Sequence, residues 1–443
     1  MNEENRKVPR RIAQTVINSL KGGVVPRIGL PYITVGRKAE IDALLHDVDI
    51  ISEGGASFRF IVGRYGSGKS FLLQTIRNYV MDRGFIVADA DLSPERRLQG
   101  TRGQGLATYR ELIRNMSTKT RPEGGAIMLV LDRWVRALNE EITAVVGKEN
   151  QTAFEEEATR RLNELMHTMN ELVHGYDFAE MLKIYYQADR SQDEEKKALA
   201  VRWFRGEYNT RSEAKAELGV RNIISDDDWY DYLKLFALFL KQIGYSGLMV
   251  LIDELVNIYK IPNSITRQYN YEKILTMYND TMQGKARYLG MIMSGTPQAI
   301  EDRRRGIYSY EALRSRLAEG KFSRDGARDL LAPVIRLEPL SAEEMLVLVG
   351  KLAELHERLY DYTCTLTDED LAVFIKIEYG RIGADSAITP REVIRDFIEL
   401  LDILYQHPDM NMEQLMNSDE FSYAKGSLED SEEVPEAFAE FTL

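Results

Sequence analysis

The octapeptide Gly63-Arg64-Tyr65-Gly66-Ser67-Gly68-Lys69-Ser70 constrains this chain more than any other segment. It fits the Walker A pattern, in which Gly and four further residues precede Gly-Lys-Ser/Thr. Glycines let the backbone turn tightly and bring its N–H groups onto phosphate oxygens. Lys69 then places a charge at the β and γ phosphates, and Ser70 offers a hydroxyl to Mg²⁺. The apolar run Phe58 to Val62 enters the loop and Phe71 to Val80 leaves it with helical character. A strand leading in and a helix leading out is the context this chemistry needs, because the helix adds its positive N-terminal end. A chance glycine-rich turn would not carry that context.

A second apolar strand ending in acid belongs beside such a loop. Leu248 to Ile252, followed by Asp253-Glu254, has that form. Asp253 is placed to hold Mg²⁺ through water, and Glu254 to polarise an attacking water. The competing run Met128 to Asp132 lacks a second acid, and its apolar spacing continues helically through Trp134, Val135 and Leu138. It predicts a buried helix. Downstream, the buried strand at 289–294 ends in Ser294-Gly295-Thr296-Pro297. Ser294 and Thr296 are candidates to orient water near a γ phosphate, although the same residues would also make an ordinary turn.

Two arginines stand where a nucleotide could be sensed. Arg316, in Leu313-Arg314-Ser315-Arg316-Leu317, has the planar fork that clamps phosphate from a neighbouring copy. Arg391 follows Thr389-Pro390, a cap and first-turn pair that opens a helix. Either arginine would also suit a plain solvated helix face.

Composition bounds the rest. With 443 residues, 44% hydrophobic and 29% charged, the chain holds enough apolar surface for two or three domains and is not mainly disordered. Its 57 Lys and Arg against 70 Asp and Glu give a net charge of −13, which argues against coating nucleic acid by bulk charge. Basic residues do collect locally. Residues 91–121 carry Arg96, Arg97, Arg102, Arg110, Arg114, Lys119 and Arg121, and Gly100, Gly103 and Gly105 suggest a mobile loop suited to non-sequence-specific DNA phosphates. Arg303-Arg304-Arg305 is a second cluster. Both would equally serve as solvated faces.

A single cysteine, Cys364, reads as a small buried residue and fits a reducing compartment. No apolar run is long enough to span a membrane and no secretory signal follows Arg6, Lys7, Arg10 and Arg11, so the expected location is the cytoplasm. His167 and His174 are read as sharing a helical face, without a third ligand that would make a zinc site. Trp229, Tyr230 and Tyr232 read as the core of a helix leading to the acidic strand. Residues 1–30 read as a basic helical arm and linker, about 93–243 as mostly helical, 334–407 as a short strand and helices, and 408–443 as an acidic tail. Phe438 and Phe441 in that tail could dock a basic partner, or the end could simply be flexible.

Taken in order, these motifs resemble the AAA+ ATPases. Val35-Gly36-Arg37-Lys38-Ala39-Glu40 looks like their adenine-side motif, and Ile335 to Ser341 resembles the entry to their helical lid. More narrowly the chain looks like the BREX-system ATP-binding proteins, BrxD-like with a relative in the BrxC ATPase domain. The residues that carry this are Val35-Gly36-Arg37, the Walker A loop, Trp203-Phe204-Arg205-Gly206-Glu207 and Thr389-Pro390-Arg391-Glu392. The resemblance implies an α/β fold: an AAA+ P-loop NTPase core with a parallel sheet at 31–333, a large helical insertion within it, and a helical lid at 334–407. It implies ATP and Mg²⁺ as ligands, a homo-oligomer through Arg316, and an ATP-driven, DNA-associated component of an anti-phage system working with other defence proteins. The alternatives are a nucleotide-dependent scaffold with little hydrolysis and a switch without DNA contact. Lys69 and Asp253 lie 184 positions apart, more than a compact AAA+ core needs.

Overall fold

Alternation inside the apolar runs builds the sheet. Among the described residues five strands form: β1 (Ala56–Val62), β2 (Ile86–Asp91), β3 (Leu248–Asp253), β4 (Leu289–Gly295) and β5 (Val334–Arg336). Their order is β2-β3-β4-β1-β5, and every pair is parallel. Every residue of β3 and β4 is buried, as a parallel sheet covered on both faces requires. Successive side chains go to opposite faces. Met249 and Leu251 join Ile61 and Ile292 under α2 (Lys38–Ser52) and α3 (Lys69–Asp82), whereas Leu248, Val250 and Ile252 join Phe58 and Phe60 on the other face.

The computed structural model that gives this architecture describes residues 8–147, 149–318, 320, 328–381, 389–410, 412 and 415. Arg6, Lys7, Phe438 and Phe441 lie outside the described residues, as does most of 408–443. The chain divides into two compact units. One is Arg37–Glu338, which holds the whole sheet; the other is Met1–Gly36 together with Pro339–Leu443.

Between β2 and β3 the sheet unit carries α4 (Gln104–Arg114), α5 (Ile127–Val146), α6 (Gln151–Met169), α7 (Gly175–Arg190), α8 (Glu194–Phe204), α9 (Arg211–Leu218) and α10 (Trp229–Gln242). The run at Met128 is helical, as its periodicity predicts, and Asp132 is a packing residue that accepts from Tyr185 Oη at 2.5 Å and Lys197 Nζ at 3.2 Å. Aromatic rings join these helices: Phe178 meets Phe204 and Phe236 edge-on, with centroids 5.3 and 5.0 Å apart. Trp203 of the Trp-Phe-Arg-Gly-Glu segment is buried and donates to Asn222 O at 2.9 Å, so it too is a packing residue. Trp229, Tyr230 and Tyr232 are buried in α10. After β3 come α11 (Val256–Tyr259) and α12 (Ser264–Met282); after β4 come α13 (Pro297–Glu301) and α14 (Glu311–Leu317).

Several expectations need correction. Residues 91–121 are not a mobile loop. Asp226 accepts from the Gly103 and Leu106 amides at 2.7 and 2.6 Å, and Asn270 accepts from the Leu98 and Gln99 amides at 2.9 and 3.0 Å. Gly105 is buried inside α4, where an added Cβ would meet Trp229 Nε1 at 3.0 Å. The apolar run Phe85 to Ala88 predicts only a short strand, yet β2 starts at Ile86 and runs on through two aspartates, because ladder pairing with β3 continues to Asp91 opposite Asp253. His167 lies in α6, but His174 sits in a left-handed conformation before α7, so the two do not share one helix face. Cys364 is only partly buried; its amide donates to Glu357 Oε1 at 2.6 Å.

In the other unit α1 (Arg10–Lys21) buries Ala13, Val16 and Ile17 and packs on α15 (Ala342–Tyr360) and α17 (Pro390–Gln406), with α16 (Asp368–Arg381) beside α15. A polar chain ties them: Lys21 Nζ to Asp402 at 2.5 Å, Asp402 to His356 Nε2 at 3.3 Å, and His356 Nδ1 to Tyr362 Oη at 2.8 Å. Burial holds the His356 pKa below its usual value against the pull of Asp402, with Lys21 adding to the depression. Above the ordinary histidine pKa both folded and unfolded chains carry it neutral. Below it the unfolded chain takes up a proton that the folded unit resists, so stability falls with pH. Between about pH 7 and about pH 5.5 the melting temperature is expected to fall further in the wild type than in His356→Gln. Equal falls would contradict this burial effect. Among the described residues no helix is long and apolar enough to cross a membrane.

Candidate nucleotide site

The loop after β1 has the backbone that its sequence requires. Gly66 and Gly68 take φ of 78° and 95°, a region costly for residues with a Cβ. A Cβ on Gly63 would come 2.4 Å from Ser67 Oγ. The Gly63 amide donates to Gly295 O at 3.2 Å, which anchors the loop to the end of β4. Gly68 caps α3 without a side-chain hydrogen bond, so the first-turn N–H groups are left for an anion. Lys69 Nζ donates to the carbonyls of Gly63 and Arg64 at 2.9 and 2.8 Å, closing over the loop. Burial lowers its pKa, opposed by Asp253 and Glu254. Ser67 Oγ is buried with no hydrogen-bond partner among the described residues. That orphaned hydroxyl, the uncapped helix end and the lysine fit a phosphate chain. Arg64 and Tyr65 stand at the exposed crest, Tyr65 with 66% of its surface open.

Asp253, at the end of β3, is held from three sides. Ser70 Oγ donates to its Oδ2 at 2.6 Å, the Glu254 amide donates to Oδ1 at 2.7 Å, and Ser294 Oγ donates to the same Oδ1. Ser294 is thus spent on the carboxylate, fully buried in β4. Thr296, two residues on, accepts from Ala299 N at 3.3 Å and caps α13. Ser70 and Asp253 together offer the hydroxyl and carboxylate oxygens that suit Mg²⁺, which needs only one or two protein ligands when it also binds phosphate. Among the described residues no group of three or more His, Cys, Asp or Glu could hold a metal unaided.

Glu254 sits at φ +65°, an uncommon conformation for a non-glycine residue that costs roughly 1 kcal/mol. The Leu255 amide fixes this turn by donating to Ser294 O at 3.0 Å, and Asn257 Nδ2 donates to Leu92 O at 2.9 Å. Burial raises the Glu254 pKa, followed by the neighbouring Asp253, against the fields of Lys69 and Lys260. The arrangement can polarise a water beside a triphosphate.

One residue escaped sequence reasoning, and Arg37, expected on the adenine side, makes a contact that its motif did not specify. Asp91 ends β2 opposite Asp253, and its carboxyl is pushed up to about 6 by desolvation and then by Asp253, Asp89 and Glu254, against Arg96. The run Ala-Asp-Ala-Asp was a visible signal, but only the sheet register sets it beside Asp253. Arg37 is 6% exposed and donates to Ser67 O at 3.2 Å from the start of α2, bracing the loop from behind. Buried Glu40 lies 3.6 Å from Arg37 and 2.9 Å from Arg328.

Val35 and Gly36 belong to the first-and-last-segment unit, where Gly36 takes φ +72° and a Cβ on it would meet Glu344 at 2.6 Å. Arg391 is in that unit also, exposed at the start of α17; a Cβ on Gly23 would come 2.8 Å from its Nη2. Its link to nucleotide rests on sequence order alone. Arg316 is exposed on α14 and bends back to Ala312 O at 2.7 Å. Arg96 is held by Asp91 O at 2.9 Å, Arg97 is half-buried with its Nε unpartnered among the described residues, and Arg102 is exposed.

The profile of the BREX system ATP-binding protein BrxC/D family matches residues 8–420, so the chain belongs to that family. No curated protein matches it. The match spans the loop, the Asp253 carboxylate and both units, and it makes ATP the ligand of a component of a BREX defence system.

Removing the brace behind the loop has a calculable cost. Arg37→Ala leaves buried Glu40 with Arg328 alone and frees the Ser67 carbonyl, which is expected to cost about 3 kcal/mol of stability and to weaken ATP binding. Urea unfolding and nucleotide titration check both; an unchanged midpoint would exclude the brace.

Proposed function

Starting from membership of this ATP-binding family, we propose that the chain is an AAA+ ATPase that hydrolyses ATP as a DNA-associated motor or assembly switch in anti-phage defence. Three placements support the AAA+ reading: the phosphate loop after β1, the acid pair after β3 and the small polar residues after β4, in a sheet ordered β2-β3-β4-β1-β5. In domain terms, the core expected at 31–333 becomes Arg37–Glu338, because β5 pairs with β1 and 31–36 fall in the other unit; about 93–243 is its insertion, the helices that follow to 407 the lid and 408–443 the tail.

The observation that carries hydrolysis is Glu254. Its strained backbone, beside a carboxylate held by three donors, is hard to account for in a protein that only binds nucleotide. Glu254 accepts a proton from the attacking water and so directs its lone pair at the γ phosphorus. Lys69 leaves the loop carbonyls and neutralises charge on the β and γ oxygens. Ser70 and Asp253 would hold Mg²⁺, which would supply further charge compensation. Ser294 keeps Asp253 in place, and Thr296 caps the helix that follows. Arg316 of a neighbouring copy serves as the arginine finger, which makes the active form a homo-oligomer working with other BREX proteins. The soluble compartment for such work is the cytoplasm.

Phosphate release by the wild type, with DNA and partner proteins present, is expected to fall about 100-fold or more in Glu254→Gln while ATP affinity is kept. Absence of turnover in the wild type would leave a nucleotide-dependent scaffold instead.

A further inference from the structure

The second basic cluster separates into two roles. Arg305 is turned inward: its guanidinium lies 5.4 Å from the Tyr259 ring centroid and donates to Tyr259 O at 3.3 Å. Asp302 Oδ1 accepts from the Arg304 amide at 2.6 Å and the Arg305 amide at 3.3 Å, while Oδ2 accepts from Tyr259 Oη at 3.0 Å. That one carboxylate is consumed by the turn it forms. Arg303 and Arg304 are left exposed, and neither side chain has an ion pair or hydrogen bond among the described residues. Lys260, next to the clasped Tyr259, is exposed, its ammonium with no ion pair or hydrogen bond among the described residues, although its field reaches Glu254. Three open cations therefore gather at one rim of a chain whose net charge is −13.

The rim is joined to the hydrolytic turn by a short rigid path. Glu254 is followed within two residues by α11, and α11 ends at Tyr259, the residue that Asp302 and Arg305 grip from both ends. Tyr271 of α12 donates to Arg305 O and seats the same turn on the core.

We infer that Lys260, Arg303 and Arg304 form a contact surface for the phosphate backbone of duplex DNA, and that occupancy of this surface is transmitted through Tyr259 and α11 to Glu254. The inference deepens the DNA-associated reading above and rests on it. It relocates the contact from Arg96, Arg97 and Arg102 to a different rim, because Arg96 Nε is bound to Asp91 O and Arg97 is half-buried. Arginine forks match phosphate oxygens in pairs, and cations without a partner for base edges suit backbone contact without sequence reading.

The test uses the full chain and a random-sequence 30-base-pair duplex, roughly three helical turns. Binding is followed by fluorescence anisotropy across a salt series, and ATP turnover is measured with and without duplex. For the double variant Arg303→Ala, Arg304→Ala the expected results are weaker binding and a log affinity against log salt slope shallower by about 2. Stimulation of turnover by DNA is lost while turnover without DNA is unchanged. Tyr259→Phe, which removes the Asp302 hydrogen bond, is expected to bind duplex normally but to lose part of the stimulation. Wild-type protein that binds no duplex at low salt would overturn the DNA reading itself. Binding by the wild type with an unchanged slope in the double variant would overturn only this surface. Competition by polyglutamate as strong as by duplex would overturn the commitment to DNA in favour of an acidic protein.

Discussion

Everything at the candidate site depends on the position of one carboxylate. Asp253 receives hydrogen bonds from the helix that begins at the phosphate loop, through Ser70, from the neighbouring strand, through Ser294, and from its own chain, through the Glu254 amide. Those donors come from α3, β4 and the end of β3, so the carboxylate is also a joint between three elements. A buried carboxylate without such donors would be costly and would take up a proton. With them the cost of its burial is offset, and Glu254 is presented in a conformation that residues of its type rarely adopt. Hydrogen bonding at one position thus fixes together the groups proposed to bind metal and to direct water.

The helical segment between β2 and β3 is rooted near that joint. Arg77 of α3 is 1% exposed, pairs with Asp89 of β2 at 3.2 Å and donates to Ser117 Oγ at 2.7 Å, beyond α4. Breaking a buried ion pair of this kind is expensive, so the segment and the phosphate-loop helix are expected to move as one. Asn270 of α12 ties the Leu98 and Gln99 amides from the other side. The seven-helix segment is therefore continuous with the sheet's own core, and its aromatic centre is an extension of the layer that covers β1 and β3.

Local chemistry was legible in the sequence where the determining residues are neighbours in the chain. Glycines at 66 and 68 announce their left-handed backbone, and an apolar run closed by two acids announces β3. Helical spacing at Trp134, Val135 and Leu138 separates α5 from a strand of similar composition. Features fixed by distant partners were not legible. Residues 91–121 look mobile by composition, yet Asp226 satisfies two of their amides from more than a hundred positions away. Asp91 gains its perturbed carboxyl only through strand register, and Arg37 finds the Ser67 carbonyl only once α2 packs beside the loop. Three consecutive arginines read alike until Tyr259 claims one of them.

The proposed function requires a triphosphate in the cup formed by Gly63 to Ser70, held there by Lys69. Calorimetric titration of ATP into the wild type and Lys69→Ala measures this directly. Affinity is expected to fall by at least about tenfold, in keeping with the loss of charge-assisted hydrogen bonds to phosphate, while the variant's melting temperature without nucleotide stays close to the wild type. Equal affinity in the two proteins would contradict it and remove ATP from this loop.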